Sequence, residues 1–465
     1  MKRLVLFSLL ASACATTSMS GDVSSLERTV SARAALGDLS FPRFDQPEVV
    51  SEDVDRLLEK PLTADDAVRV ALLNNREARA AIAEVGLARG DWVQAGLLPN
   101  PDAEFEMRDP GGAQPVQMDI GLDLNLSAVF LAPVRAGVAE AALDAARWRA
   151  AGALLDLAYE TRLSFFEAQA AQQRLDLRLR AFASQQASYE TAAELSRVGN
   201  LPALALANEL AAVEVSRVQV AEAENANLDA REALTRLLGL SGARTAWKLA
   251  GPLSVPAEAP AAQVTEAKAL AASLELAELQ ARAEAASRKV GLAKTEAWLP
   301  GLSAGFHGER DGALWELGAH VVVALPVFDR AQGRQLSARS EYDVLRARAE
   351  GQALHIRSAV RTTLNRVESA SKRARHYAER LVPAQQQTLQ QTVLQYNAMQ
   401  LGVFQVLAAQ RAVTETALAQ VDVTLDAWKA RASLDLLLAG RSTPLALGAT
   451  PMRRSGIRVE ASGGH

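Results

Sequence analysis

Hydrophobic and polar positions along the 465-residue chain fall into a pattern that occurs twice. Between residues 116 and 127 the alternation is strict: Met118, Ile120, Leu122, Leu124 and Leu126 share one face, and Gln117, Asp119, Gly121, Asp123 and Asn125 share the other. A period of two marks a strand with one apolar and one wet face. Trp315, Leu317, Ala319, Val321, Val323 and Leu325 repeat it opposite Glu316, Gly318, His320 and Val322. A partner strand precedes each, introduced by Leu98-Pro99 or, 201 residues later, by Leu299-Pro300. Turn residues Asp109-Pro110-Gly111-Gly112 and Arg310-Asp311-Gly312 separate the strands of each pair. The expected strands are 102–108, 116–127, 302–309 and 314–325.

Behind each strand pair runs a stretch of strong helix formers, from about Ala128 to Ser196 and from about Arg330 to Ala398. At 1.5 Å per residue each predicts a helix about 100 Å long. Narrow apolar stripes such as Leu206, Leu210 and Val213 suit helices packed side by side as coiled coils. Both runs break, at Ser196-Arg197-Val198-Gly199-Asn200-Leu201-Pro202 and, 200 residues on, at Asn397-Ala398-Met399-Gln400-Leu401-Gly402. Ahead of the first strands, Thr63 with Asp66 three residues on forms a capping box, opening a helix that runs toward Gly96. Each half thus reads helix, strand pair, very long helix, break, helix, a period too long for a solenoid. The duplicated units are 62–239 and 263–440, joined by a Gly- and Pro-containing linker at 240–262. Residues 14–61 read as an extended arm and 441–465 as a disordered tail.

The second strand of each pair has the length of a membrane-spanning β-strand, roughly 9 to 11 residues when tilted. Four strands cannot close a barrel, and an open sheet edge is forbidden in hydrocarbon. Three copies would supply twelve strands, so a homotrimer is the simplest closure. With the apolar faces on lipid, the lumen receives Glu104, Glu106, Asp119, Asp123, His307, Glu309, Glu316 and His320. Threefold rings of carboxylates bias a pore toward cations; the bland reading, that these groups only keep the lumen wet, stands beside it. The two helix breaks become hairpin tips, Val198, Gly199, Asn200 and Leu201 against Met399, Gln400, Leu401 and Gly402, and apolar Leu201 and Leu401 suit them to docking a hollow partner.

Composition narrows the class. The chain is 49% hydrophobic and 22% charged, as folded chains are, and its net charge of −4 argues against nucleic acid, which demands a concentrated basic surface. Lys2-Arg3, the apolar run Leu4 to Leu10 and the small residues Ala11-Ser12-Ala13 have the order of an export signal at 1–13, too short to span a bilayer. Leu10-Ala11-Ser12-Ala13-Cys14 resembles a bacterial lipobox, which implies acylation of Cys14; ordinary cleavage after Ala13 is the alternative. Ala15 rather than aspartate after the cysteine favours the outer membrane within that resemblance. Cys14 is the single cysteine, which excludes disulfides. Histidines at 307, 320, 355, 376 and 465 show no metal-ligand spacing, and no phosphate loop, dinucleotide fingerprint or nucleophile elbow occurs. The sequence points to no enzyme, no cofactor and no bound metal.

Several segments together resemble a known family: Leu62-Thr63-Ala64-Asp65-Asp66-Ala67-Val68 through Leu73-Asn74-Asn75, Leu97-Leu98-Pro99-Asn100-Pro101, Leu325-Pro326-Val327-Phe328-Asp329, and Tyr396 through Val406-Leu407-Ala408-Ala409-Gln410-Arg411. Their order and duplication over residues 60 to 440 are similar to the TolC-type outer-membrane efflux factors. The resemblance implies a mainly α chain with a β-barrel portion, a trimeric 12-stranded outer-membrane barrel continued by an α-helical periplasmic tunnel. It also implies a periplasmic adaptor protein that meets the tips and an inner-membrane pump that supplies the energy. Some members close the periplasmic entrance with acidic residues beyond the second tip; Gln405 and Ala408 stand there, implying a steric or hydrogen-bonded constriction at Gln405. The Asn397-to-Phe404 form of the tip is more like the heavy-metal resistance branch. The expected function is a passive outer-membrane export duct; a periplasmic helical-hairpin adaptor or scaffold is the alternative.

Overall fold

The computed structural model describes residues 18–37, 40–41, 47–109, 111, 116–257, 265–311 and 314–442. The export signal, Cys14, linker residues 258–264, part of each strand-pair turn and tail residues 443–465 lie outside the described residues, while Arg441 and Ser442, expected to begin a disordered tail, are instead held by Asp156 and Glu275. The elements in order are α1 (Ser20–Ala34), α2 (Pro47–Leu58), α3 (Ala64–Asn74), α4 (Arg76–Gly96), β1 (Asp102–Arg108), β2 (Gln117–Asn125), α5 (Leu126–Arg197), α6 (Ala203–Leu238), α7 (Glu266–Ala272), α8 (Leu274–Trp298), β3 (Leu302–Asp311), β4 (Leu314–Val323), α9 (Gln332–His376), α10 (Val382–Asn397) and α11 (Val403–Leu438). This is a mainly α chain with one four-stranded antiparallel sheet, ordered β1-β2-β3-β4. β2 gives way to helix at Leu126, two residues sooner than the alternation suggested, because the Asn125 side chain accepts from the Ala128 N–H and caps α5.

Three expectations need correction. The arm is not extended: α1 and α2 are helices, and Leu26, Val30 and Ala34 form a buried stripe of α1 at four-residue intervals. The Thr63 capping box exists, with Thr63 accepting from the Asp66 N–H, but the helix ends at Asn74. Asn75 then caps a new helix by accepting from the Glu77 N–H. The second half does the same where Thr265 caps α7 and Ser273 caps α8. The break therefore belongs to the duplicated unit.

The linker, third, is woven into the core as far as it is described. Leu62 and Leu249 form a parallel bridge, held by Leu62 N–H to Lys248 O at 2.8 Å and Ala250 N–H to Leu62 O at 2.9 Å. Trp247 is buried, donates to Thr235 Oγ1 at 3.1 Å and lies under the Arg231 guanidinium, 4.1 Å from the ring centre. Gln169 donates to the Ala250 and Gly251 carbonyls. Peptide groups inside a protein must find partners, and side chains of α5 supply them here.

The main core gathers α1, α3, the start of α4, the middle of α5, the end of α6 and part of α11. Phe166 stacks on Trp428 at 4.2 Å between centroids, fixing α5 to α11. Asp22, 2% exposed, receives the Arg147 guanidinium, with Arg89 at 3.5 Å. Arg441 pairs with Asp156 and sits 3.3 Å from Glu275. Burial lowers the Arg441 pKa, but its hydrogen bond to Asp156 and the charges of Asp156, Glu275 and Glu278 outweigh it and hold the group above the ordinary arginine value.

α5 is one continuous helix of 72 residues. Its counterpart is interrupted: a π-helical turn, Tyr377–Leu381, joins α9 to α10, and Pro383 follows at once. Proline offers no N–H to the carbonyl four residues back and its ring crowds that carbonyl, and a wider π turn accommodates it. α5 also holds a stretch apolar and long enough to cross a bilayer by composition, 28% of it buried within the chain.

Candidate functional site

The cross-strand register brings the expected lumen residues to one face of the sheet. Asp102, Asp123, Gly305 and His320 form one row; Glu104, Gly121, His307 and Gly318 the next; Glu106, Asp119, Glu309 and Glu316 the third. Directly opposed residues share a face, so the eight expected side chains are neighbours across four strands. The opposite face presents Phe105, Ile120 and Leu317 in one row and Phe306 beside Leu122 in another, between 45% and 85% exposed. An apolar face of that size does not stand in water.

Glycines shape the acidic face. A Cβ on Gly305 would lie 2.3 Å from Asp123 Oδ1 and 2.8 Å from His320 Cε1. Its absence lets His320 Nε2 reach over β3 to Asp123 Oδ1 at 2.9 Å. Arg108 holds Glu106 through Nε–Oε1 at 2.8 Å and Nη2–Oε2 at 3.1 Å, and reaches Asp119 Oδ2 at 3.4 Å.

Both hairpin tips have the same backbone. Gly199, at φ +77°, donates to Ser196 O while Asn200 donates to Leu195 O; Met399, at φ +57°, donates to Tyr396 O while Gln400 donates to Gln395 O. These are paired Schellman caps with a left-handed residue just past the helix. Met399 stands where the first half has glycine and is 95% exposed. The apolar surface of the tips is Val198, Leu204, Met399 and Phe404, whereas Leu201 and Leu401 are only half-exposed.

No protein-family profile matches the chain. The cobalt-zinc-cadmium resistance protein CzcC of Cupriavidus metallidurans is 25% identical over 389 residues, which cover 81% of this chain and 90% of CzcC. A solved structure of CusC, described as forming a transmembrane channel, superposes with a TM-score of 0.67 at 19% identity, over 84% of this chain and 92% of that one. The Campylobacter jejuni CmeC outer membrane channel gives a TM-score of 0.69 at 14% identity, over 84% and 86%. In fold the chain is similar to these outer-membrane channels.

Gln405, expected at an entrance constriction, is exposed in the first turn of α11, its N–H bonded to Gly402 O at 3.2 Å. Farther from the tip lies a buried charge the sequence reading missed. Glu209 of α6, 6% exposed, accepts from Gln185 Nε2 at 2.8 Å and Ser188 Oγ at 2.7 Å, both on α5, and Arg411 of α11 approaches it at 3.5 Å. The carboxylate ties the first hairpin to the second. Sequence showed only a charged position among stripes; the three helices meeting there made it central. Glu209→Ala leaves Gln185 and Ser188 buried without an acceptor and removes the charge facing Arg411, at a cost of about 3 kcal/mol. Trypsin should then cut the hairpin at Arg197 at least tenfold faster; an unchanged rate would show that the network does not hold the tip.

Proposed function

We propose that the chain is the outer-membrane component of a tripartite efflux system, a passive trimeric duct driven by an inner-membrane pump through a periplasmic adaptor. The observation that carries this reading is the two-faced open sheet. Its four strands end in the unpaired edges of β1 and β4, which lipid does not tolerate. Pairing β1 of one copy with β4 of the next closes a twelve-stranded barrel with the apolar face outward and the acidic face inward. The long helices below it continue the duct into the periplasm. Trp298, 85% exposed, and Phe328, 90% exposed, sit where helix meets strand, the level at which aromatic side chains anchor in a bilayer interface.

Glu104, Glu106, Asp119, Asp123, Glu309 and Glu316 with His307 and His320 line the lumen in this reading, and the duct prefers cations. CzcC carries metal resistance in its name, and divalent metal cations are the cargo class we favour. The tips, Val198 to Leu201 and Met399 to Gly402, meet the adaptor, and Cys14, when acylated, adds a lipid anchor.

The protein should fractionate with the outer membrane and run as a trimer in mild detergent, collapsing to monomer on boiling. Planar-bilayer recordings of that trimer should give a conductance with a reversal potential on the cation side. Recovery as a soluble monomer would reject the duct, and anion preference would reject the lumen assignment.

A further inference from the structure

Three ligand-bearing side chains on the acidic face converge although no spacing along the chain announces them. Asp119 on β2 pairs directly with Glu309 on β3, and His307 lies two residues before Glu309 on the same face. One ligand atom from each of Asp119, His307 and Glu309 lies within 4.8 Å of the others. We infer that Asp119, His307 and Glu309 form a binding site for a divalent transition cation of the Zn2+ or Co2+ type in the wall of the barrel lumen. The inference rests on the reading of this face as a lumen and deepens it.

Four features support it. The donor set of one imidazole and two carboxylates suits borderline cations such as Zn2+ and Co2+, whereas Mg2+ prefers oxygen ligands and retained water. A tetrahedral ion holds its ligands about 3.3 Å apart, and the three ligand atoms already lie within 4.8 Å of one another, so side-chain rotation without backbone movement can bring them onto one ion. Asp119 is divided in its duties: Oδ2 faces Arg108, while Oδ1 is buried without a hydrogen-bond partner. A buried carboxylate oxygen without a partner is costly, and a cation supplies what it lacks. Finally, His307 has glycine on either side in its row, Gly121 and Gly318. A Cβ on Gly121 would come within 4.0 Å of His307 Nδ1, and Gly318 has open space, so the imidazole is free to turn toward the carboxylates.

Electrostatics point the same way. Asp102, Glu104, Glu106, Asp123 and Glu316 share the face, and Arg108, occupied by Glu106 and Asp119, is the one arginine there among the described residues. Three copies would set three such sites around the duct. An exporting lumen gains from sites that hold a cation weakly and pass it on, since tight binding would plug it.

The test uses the full-length protein in detergent. Isothermal titration with ZnCl2 should give one ion per chain, and CoCl2 should develop the visible d–d absorption of a nitrogen- and oxygen-ligated ion. His307→Gln and Glu309→Gln should each weaken Zn2+ binding at least tenfold and abolish the Co2+ band. Glu350→Gln removes an exposed carboxylate of α9, outside the sheet, and should change Zn2+ affinity less than twofold. Equal losses in all three variants, or wild-type protein that binds no Zn2+, would overturn the site. Conductance measured on the same preparations separates the two readings: binding without a pore keeps the site and removes the duct, while a pore without binding keeps the duct and removes the site.

Discussion

Gly440→Ala should destabilise the protein by about 3 kcal/mol or more. Gly440 ends α11 at φ +95°, outside the range that residues with a side chain adopt readily. A Cβ there would lie 2.1 Å from the Ala272 carbonyl oxygen and 2.4 Å from Arg33 Nη1. Neither neighbour can yield cheaply. Ala272 ends α7, and Arg33 Nη1 donates to both Ala272 O at 2.5 Å and Ala439 O at 2.8 Å. Gly440 O itself accepts from the Leu274 N–H at the start of α8. Three helix ends and the arm helix therefore meet at one residue without a side chain. The temperature at which the proposed trimer dissociates on gels in detergent should fall sharply. Gly291→Ala, in mid-α8 with nothing within 4 Å, should instead stabilise by about 0.5–1 kcal/mol. Equal behaviour of the two variants would dismiss the steric account.

Substitution at the second tip should abolish export and spare assembly. Gly402 has φ −85°, and a Cβ there meets only the mobile end of Gln405 at 3.1 Å, so Gly402→Asp fits the backbone. Met399→Asp fits as well, because aspartate tolerates the left-handed conformation Met399 already holds. Leu401→Asp tests the half-exposed apolar residue between them. Each places a carboxylate where an apolar contact is proposed, and burying an unpaired charge costs several kcal/mol. In a strain whose resistance depends on this chain, export should drop at least tenfold while boiling-sensitive trimers persist in the outer membrane. Undiminished export by all three would remove the second tip from the mechanism; loss of trimer would reassign it to folding.

What could be read from sequence divides along physical lines. The strands and their two faces were legible because alternation has one interpretation when both faces are long and unlike, whereas the register, which a two-residue shift would change without moving any side chain to the other face, came from the structure. The tips were legible because glycine and proline end helices. α1 was missed because its serine-rich composition masks a stripe of only Leu26, Val30 and Ala34. The break at Asn75 was missed because alanine and leucine continue across it, and only the Asn75 cap reveals the stop. Residues 240–257 read as a linker because turn residues usually mark one, yet Trp247 and Leu253 bury that stretch. The Asp119, His307 and Glu309 cluster was invisible because its members come from different halves of the duplication. Spacing motifs report only ligands carried by one element.

The unpaired edges of β1 and β4 have a genetic consequence. In the proposed trimer each barrel seam joins β1 of one subunit to β4 of the next, so one copy with one spoiled edge leaves one seam of the three open, and one open seam is enough to expose an unpaired edge. A cell making equal amounts of sound and edge-defective chain would assemble wholly sound trimers only about one time in eight, if mixing is random. Edge mutations in this protein should therefore be dominant, whereas a chain that never folds far enough to join a trimer should be recessive.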